Sequence, residues 1–219
     1  MKIKVLKNVM LKNNAIGADN RWMFDKKGVF AINMTSSPGA GKTTLIKTSL
    51  DYFTSKYKVA VVEGDLFTSR DAERLADFNI PLVQINTEGG CHLDAKMVHA
   101  ALEKLDLDAI NFCIVENVGN LVCPAAFDIG AHKMVLLYSI TEGEDKPTKY
   151  ATMFQKADVV IINKVDIAPY LNMDLQKIED EVREVNPDCI IFKTNALDRE
   201  SLSEWFAWVD SEIASTLKA

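Results

Sequence analysis

Lys42 and Thr43 close the run SSPGAGKTT, residues 36 to 44, and a lysine followed by a hydroxyl behind two glycines is a combination suited to holding phosphate. Gly39 and Gly41 let the backbone approach an anion. The successive amides of Ser37, Gly39, Ala40, Gly41, Lys42, Thr43 and Thr44 can then form a nest, with the dipole of a following helix adding to it. Lys42 would reach the β and γ phosphates of a nucleotide, and Thr43 would hold Mg²⁺. The match to the eight-position phosphate-loop pattern is partial, because Ser36 stands where glycine is usual. An ordinary glycine turn would not require strand, loop and helix in this order; phosphate binding does.

A second motif addresses the base. NKVD, residues 163 to 166, offers the Asp166 carboxylate as acceptor for guanine N1–H and the exocyclic 2-amino group, and adenine lacks that amino group. Lys164 would lay its stem on the base plane, Asn163 would brace the loop, and Thr194, Asn195 and Ala196 follow the next strand where a further base-contacting loop belongs. Two acidic strand ends lie between these motifs. In EGD, residues 63 to 65, Asp65 could ligate Mg²⁺ directly or through water, or position the attacking water. In ENVG, residues 116 to 119, Glu116 is offered to the metal and Gly119 is a pivot responsive to the γ-phosphate. Lys42, Asp65 and Glu116 are thus the candidate catalytic residues, with Arg70 and Arg74 as candidate sources of a transition-state cation.

A different chemistry is carried by GGCHLDAK and NLVCPAAFD, which place Cys91, His92 and Cys123 in segments that follow strands. Adjacent residues of a strand point to opposite sides, so Cys91 and His92 can share a metal only from a turn or a helix start. A helix N-terminus would also favour the thiolate. Two thiols and an imidazole suit Zn²⁺ or Ni²⁺ rather than Mg²⁺ or Ca²⁺, and a water or a second copy of the chain could complete the shell. By pattern alone these residues fit buried thiols equally well. Cys113 and Cys189 lie in apolar strands and read as core, and His99 and His132 read as surface residues.

The elements that must position these groups are legible as apolar runs: VFAINM, VAVVEG, PLVQIN, NFCIVEN, MVLLYSI, DVVIINK and CIIFKT. Each is nearly continuous in apolar residues, the pattern of parallel strands buried on both faces. Between them, TTLIKTSLDYF, DAERLADF, LDAKMVHAALEKL, MDLQKIEDEVREV and ESLSEWFAWVDSEIASTL repeat apolar residues at three and four. The order predicts an α/β fold of the P-loop NTPase type, a mainly parallel sheet flanked by helices with ligand loops at the carboxyl ends of its strands. Residues 1–28 fall outside the pattern and are expected to form a helix or arm, with one nucleotide-binding domain over 29–219. With 219 residues, 48% of them hydrophobic, four cysteines and no apolar run long enough to span a bilayer, the chain reads as a soluble cytoplasmic protein with reduced thiols. Its formal charge of −6 argues against nucleic acid as a partner.

SSPGAGKTTL, EGDLFTSRDAERL, GCHLDAKMV, ENVGNLVCPAAFD, TEGEDKPTKY and NKVD together resemble the HypB family of hydrogenase nickel-incorporation GTPases, of the class that includes signal-recognition-particle GTPases. The resemblance runs from NNAIGADNR to the C-terminal helix. It implies a GTP-gated homodimer with a nickel or zinc site at the subunit interface, onto which Cys91, His92 and Cys123 map. It also implies delivery of nickel to the large-subunit precursor of a nickel-iron hydrogenase, with the small nickel chaperone HypA as partner. The related urease accessory GTPase places a proline between its cysteine and histidine, and this chain does not. Residues 1–30 contain neither Cys nor His, so delivery is expected to rest on the interface site, and LDRESLSEW after TNA lacks the glycines common in relatives. Rival readings are a urease-accessory-like nickel protein, a metal store or sensor with a structural nucleotide, and a small-molecule kinase. Three histidines argue against a store, and NKVD would be unexplained in a kinase.

Overall fold

The computed structural model describes residues 8–66 and 74–218. The strands are β1 (Phe30–Ser36), β2 (Val59–Asp65), β3 (Leu82–Asn86), β4 (Phe112–Glu116), β5 (Lys133–Ser139), β6 (Val159–Asn163) and β7 (Ile190–Thr194). They form one sheet in the order β3-β2-β4-β1-β5-β6-β7, and every pairing is parallel. The seven apolar runs of the sequence are therefore the seven strands. Of the five strands inside the sheet, β1, β4 and β6 are buried at every residue and β2 and β5 at most of theirs, as continuous apolar runs require. The edge strand β7 instead alternates, with Phe192 and Thr194 inward and Lys193 outward.

Six helices carry most of the packing: α1 (Asn8–Lys27), α2 (Lys42–Phe53), α3 (Ala95–Leu102), α4 (Ala151–Lys156), α5 (Leu175–Val185) and α6 (Ser203–Thr216). On one face of the sheet, α2 and α6 cover Phe30, Ile32, Met34, Val61 and Ile161, and this core contains Phe53 and Trp205. The other face is divided. Phe24 of α1 and Val98 and Leu102 of α3 cover the β2-β4-β1 half, and Met153, Phe154, Ile178 and Val182 cover the β5-β6 half. Truncating a fully buried ring such as Phe53 costs about 3–5 kcal/mol at a typical core site, which sets the scale for these layers.

The sequence and the structure differ in detail at two places. In DAERLADF only the last residues are described, and Ala76–Phe78 form a 3₁₀ turn; residues 71–73 and Arg70 lie outside the described residues. His99 and His132 are not free surface residues: both are partly buried and held by specific contacts. His99 Nδ1 lies 2.7 Å from Asn20 Oδ1, and His132 is held between the Ala31 amide, 3.0 Å from Nδ1, and Asp25, 2.8 Å from Nε2. Both contacts are with or behind α1, whose docking sequence patterning did not reveal.

Candidate functional site

The parallel register brings Ser36, Asp65, Glu116, Ser139, Asn163 and Thr194 to the same edge of the sheet. The chain leaves β1 at Ser36 and enters α2 at Lys42. Gly41 caps that helix in the left-handed region, at φ 107°, and a Cβ there would lie 2.7 Å from Asn163 Nδ2. Glycine is required on both counts. Lys42 Nζ donates to Ser36 Oγ at 3.0 Å, so the residue that departs from the phosphate-loop pattern supplies a hydroxyl partner for the lysine. Thr43 Oγ1 donates to Glu116 Oε1 at 2.9 Å, and both residues are buried.

A cavity of about 380 Å³ opens in front of these groups, lined by Gly39, Lys42, Thr43, Asp65, Arg74 and Glu116. Three oxygen-bearing side chains at one wall, those of Thr43, Asp65 and Glu116, fit the donor chemistry of a hard cation such as Mg²⁺. Gly119 backs onto the phosphate loop, where a Cβ would come within 3.1 Å of Pro38. Ser37 does not present its hydroxyl freely: Oγ donates to Glu142 Oε2 at 2.5 Å, while Glu142 Oε1 accepts the Ser139 amide at 3.1 Å. Sequence reasoning missed Glu142, although TEGEDKPTKY contains it. A larger hollow, about 730 Å³ beside Met10, Phe127 and Lys156, contains none of the candidate residues.

The second cavity, about 270 Å³, shares Gly41 and Thr44 with the first and is lined by Asn163, Lys164, Asp166, Asn195 and Ala196. Asn163 is the brace: Nδ2 donates to the Ala40 carbonyl at 2.9 Å, and Oδ1 accepts the Ala196 amide at 2.9 Å. Thr194 is buried and points its hydroxyl at Asn163 Oδ1, 3.4 Å away, so it supports the brace and does not line the cavity. Lys164 stands in the left-handed region, at φ 64°, and its Nζ reaches the Gly39 carbonyl at 2.9 Å. Its stem thus crosses from the base loop to the phosphate loop. The glycine-free loop after Ala196 is shaped by polar contacts instead, with the Asn195 amide on Ser201 Oγ at 2.9 Å and the Leu197 amide on Asn195 Oδ1 at 3.0 Å.

Cys91, His92 and Cys123 do converge. One ligand atom from each lies within 4.8 Å of the others, the arrangement the sequence left open. Cys91 Sγ is 2.9 Å from Cys123 Sγ and 3.7 Å from His92 Nδ1. The His92 ring stacks on Phe127, centroids 4.0 Å apart, an orienting contact that sequence reasoning missed. The helix-start argument needs correction: α3 is capped by Asp94, whose carboxylate accepts the Met97 amide at 2.8 Å, and Cys91 sits three residues earlier in the turn. The hydrogen bond with Cys91, and then burial, raise the Cys123 thiol above its usual range, so a cation must itself drive off the proton. Burial lowers His92, which leaves its imidazole neutral and ready to ligate near pH 7. Cys113 and Cys189 are buried as expected, and burial pushes the Cys113 thiol up to about 12.

Asn117 joins the two sites. It is fully buried directly after Glu116; Oδ1 accepts the Leu93 amide, next to His92, at 3.0 Å, and Nδ2 donates to Asn33 Oδ1 at 3.1 Å. A second strut hangs the turn ahead of Cys91 from β2, since the Thr87 amide donates to the Asp65 carbonyl at 2.9 Å and the Thr87 hydroxyl to the Gly90 carbonyl at 2.6 Å.

Comparison with known proteins bears on the fold and the family. Residues 30–193 match the model of the CobW/HypB/UreG nucleotide-binding domain. The chain is 43% identical to hydrogenase maturation factor HypB of Azotobacter vinelandii over 99% of its own length and 72% of that protein. Among solved structures it superposes on HypB from Helicobacter pylori in complex with nickel with a TM-score of 0.89 at 37% identity, covering 94% of this chain and 97% of that one. HypB from Archaeoglobus fulgidus gives 0.87 at 32% identity, covering 93% and 99%. A P-loop core with a Cys/Cys/His cluster beside it, and this level of identity along nearly the whole chain, make the protein a member of the HypB family of hydrogenase maturation factors.

Proposed function

We propose that the protein is a Mg²⁺-dependent GTPase that uses its nucleotide state to set the geometry of a Cys91/His92/Cys123 site carrying nickel, or zinc, as cargo. The single observation that supports this most is the Asn117 link, because it connects the residue after Glu116 to the backbone beside His92 without an intervening flexible segment. Lys42 would neutralise the β and γ phosphates, and Asp166 would select guanine from the far cavity. Thr43, Asp65 and Glu116 would hold Mg²⁺, which supplies positive charge against the phosphate oxygens. Arg74, on the wall of the same cavity, is the candidate among the described residues for a further cation.

Three soft ligands leave room in a four-coordinate shell. A second copy of the chain would complete it, so the working form is a homodimer assembled with GTP and metal. In the cytoplasm its partners would be the nickel chaperone HypA and the large-subunit precursor of a nickel-iron hydrogenase. Hydrolysis would relax residues 116–123 and loosen the metal. The test is a nickel titration with solution mass followed in parallel, on protein loaded with GDP and with a non-hydrolysable GTP analogue. A nucleotide-dependent affinity that Cys123→Ala abolishes is expected; equal affinities at unchanged mass would refute the coupling. Loss of turnover in Lys42→Ala checks the phosphate loop.

A further inference from the structure

The buried stripe of α1 is Asn13, Gly17, Asn20 and Phe24, so half of it is amide rather than hydrocarbon. These amides are satisfied by backbone from two particular segments. Asn13 Oδ1 accepts the Ala95 amide at 2.9 Å, and its Nδ2 donates to the Asp128 carbonyl at 2.7 Å. Asn20 Nδ2 lies 2.9 Å from the Ala95 carbonyl and 3.0 Å from the Ile129 carbonyl, while its Oδ1 meets His99 of α3. Arg21 continues the same seam onto the Gly130 carbonyl at 2.9 Å. Two asparagines seven residues apart on one helix face therefore bridge the same pair of segments. One of these follows His92 by three residues; the other follows Cys123 by five.

We infer that α1 is a spacer for the metal site: Asn13 and Asn20 are positioning residues that fix the separation between its Cys91–His92 half and its Cys123 half without touching the ion. The inference rests on the Cys/His site binding metal as proposed above. Residues behind the ligands that orient them typically contribute about 10–100-fold in metal affinity.

The experiment titrates Ni²⁺ into wild type, Asn13→Ala, Asn20→Ala and Lys27→Ala, and records thiolate-to-nickel absorption and the affinity for a fluorescently labelled GDP. Lys27 anchors the same helix through Asp108, at 2.6 Å, but reaches neither ligand segment. The expected result is a nickel affinity lower by about tenfold in each asparagine variant, an altered absorption band, unchanged GDP affinity and a silent Lys27→Ala. Asn13→Asp keeps the Ala95 contact and severs the Asp128 contact, so it should reproduce the nickel defect if bridging is what matters. Nickel affinity unchanged in the asparagine variants, or falling in step with GDP affinity, or falling equally in Lys27→Ala, would overturn the inference. Failure of wild type to bind nickel through Cys91 and Cys123 would instead refute the underlying site.

Discussion

Replacing Asn117 by alanine tests the connection between the two sites most directly. Three hydrogen bonds end on this side chain: from the Leu93 amide, from the Val118 amide and to Asn33 Oδ1. In a fully buried position no water replaces them. At about 1 kcal/mol net for each, the loss is about 3 kcal/mol, which for a chain of this size corresponds to a fall in Tm of roughly 6–12 °C. Thermal or urea unfolding of the metal-free protein measures that number. The functional prediction is separate: the ratio of nickel affinities in the GDP and GTP-analogue states should collapse toward one, because the strut beside His92 no longer follows Glu116. A stability loss under about 1 kcal/mol would show that the hydrogen bonds are not doing what their geometry implies. A full stability loss with the ratio intact would route the coupling through Thr87 and β2 instead.

Three further outcomes follow from the same structure. Asp166→Asn should weaken GTP binding by roughly 10–100-fold, the usual worth of charge-assisted hydrogen bonds, with little effect on ATP; equal losses measured by competition would count against guanine recognition. Gly64→Ala places a Cβ 2.8 Å from three carbons of buried Leu93, so about 1–3 kcal/mol of overpacking should appear in unfolding curves together with weaker nickel binding; unchanged metal affinity would show that Leu93 yields without moving His92. His132 gives a pH signature. Burial holds its pKa below that of a free imidazole, against the pull of Asp25, and neutral Nδ1 is what accepts the Ala31 amide. The folded value lies below the unfolded one, about 6.5, so the stabilisation is present above that pH and is lost as pH falls. Urea midpoints should drop from pH 7.5 to 5.5 in wild type and less so in His132→Gln; parallel profiles would remove His132 as the cause.

The sheet was legible because strands buried on both faces leave continuous apolar runs, and the nucleotide loops because their chemistry needs particular residues at fixed offsets. Strand order was not legible, since parallel crossovers leave no mark in the runs themselves. Convergence of Cys91, His92 and Cys123 depended on where two separate loops return, and pattern alone left it open. The residues that tie the sites together were hidden for a common reason. Asn13, Asn20, Asn117 and Glu142 act by hydrogen bonding to backbone or to a single hydroxyl, and such contacts follow no period and no spacing rule. For α1 the apolar-spacing test looked for hydrocarbon on a face whose docking is half amide.

Asn163 grips the phosphate loop at Ala40 and the base loop at Ala196 with the two ends of one amide. The grip fixes the span between the two cavities, so the pocket behaves as a ruler. If the two cavities take phosphates and base as proposed, a ligand that carries the base without the phosphates, or the phosphates on a shorter spacer, would satisfy one end only. On that reading, discrimination by length would precede any contact with the γ-phosphate.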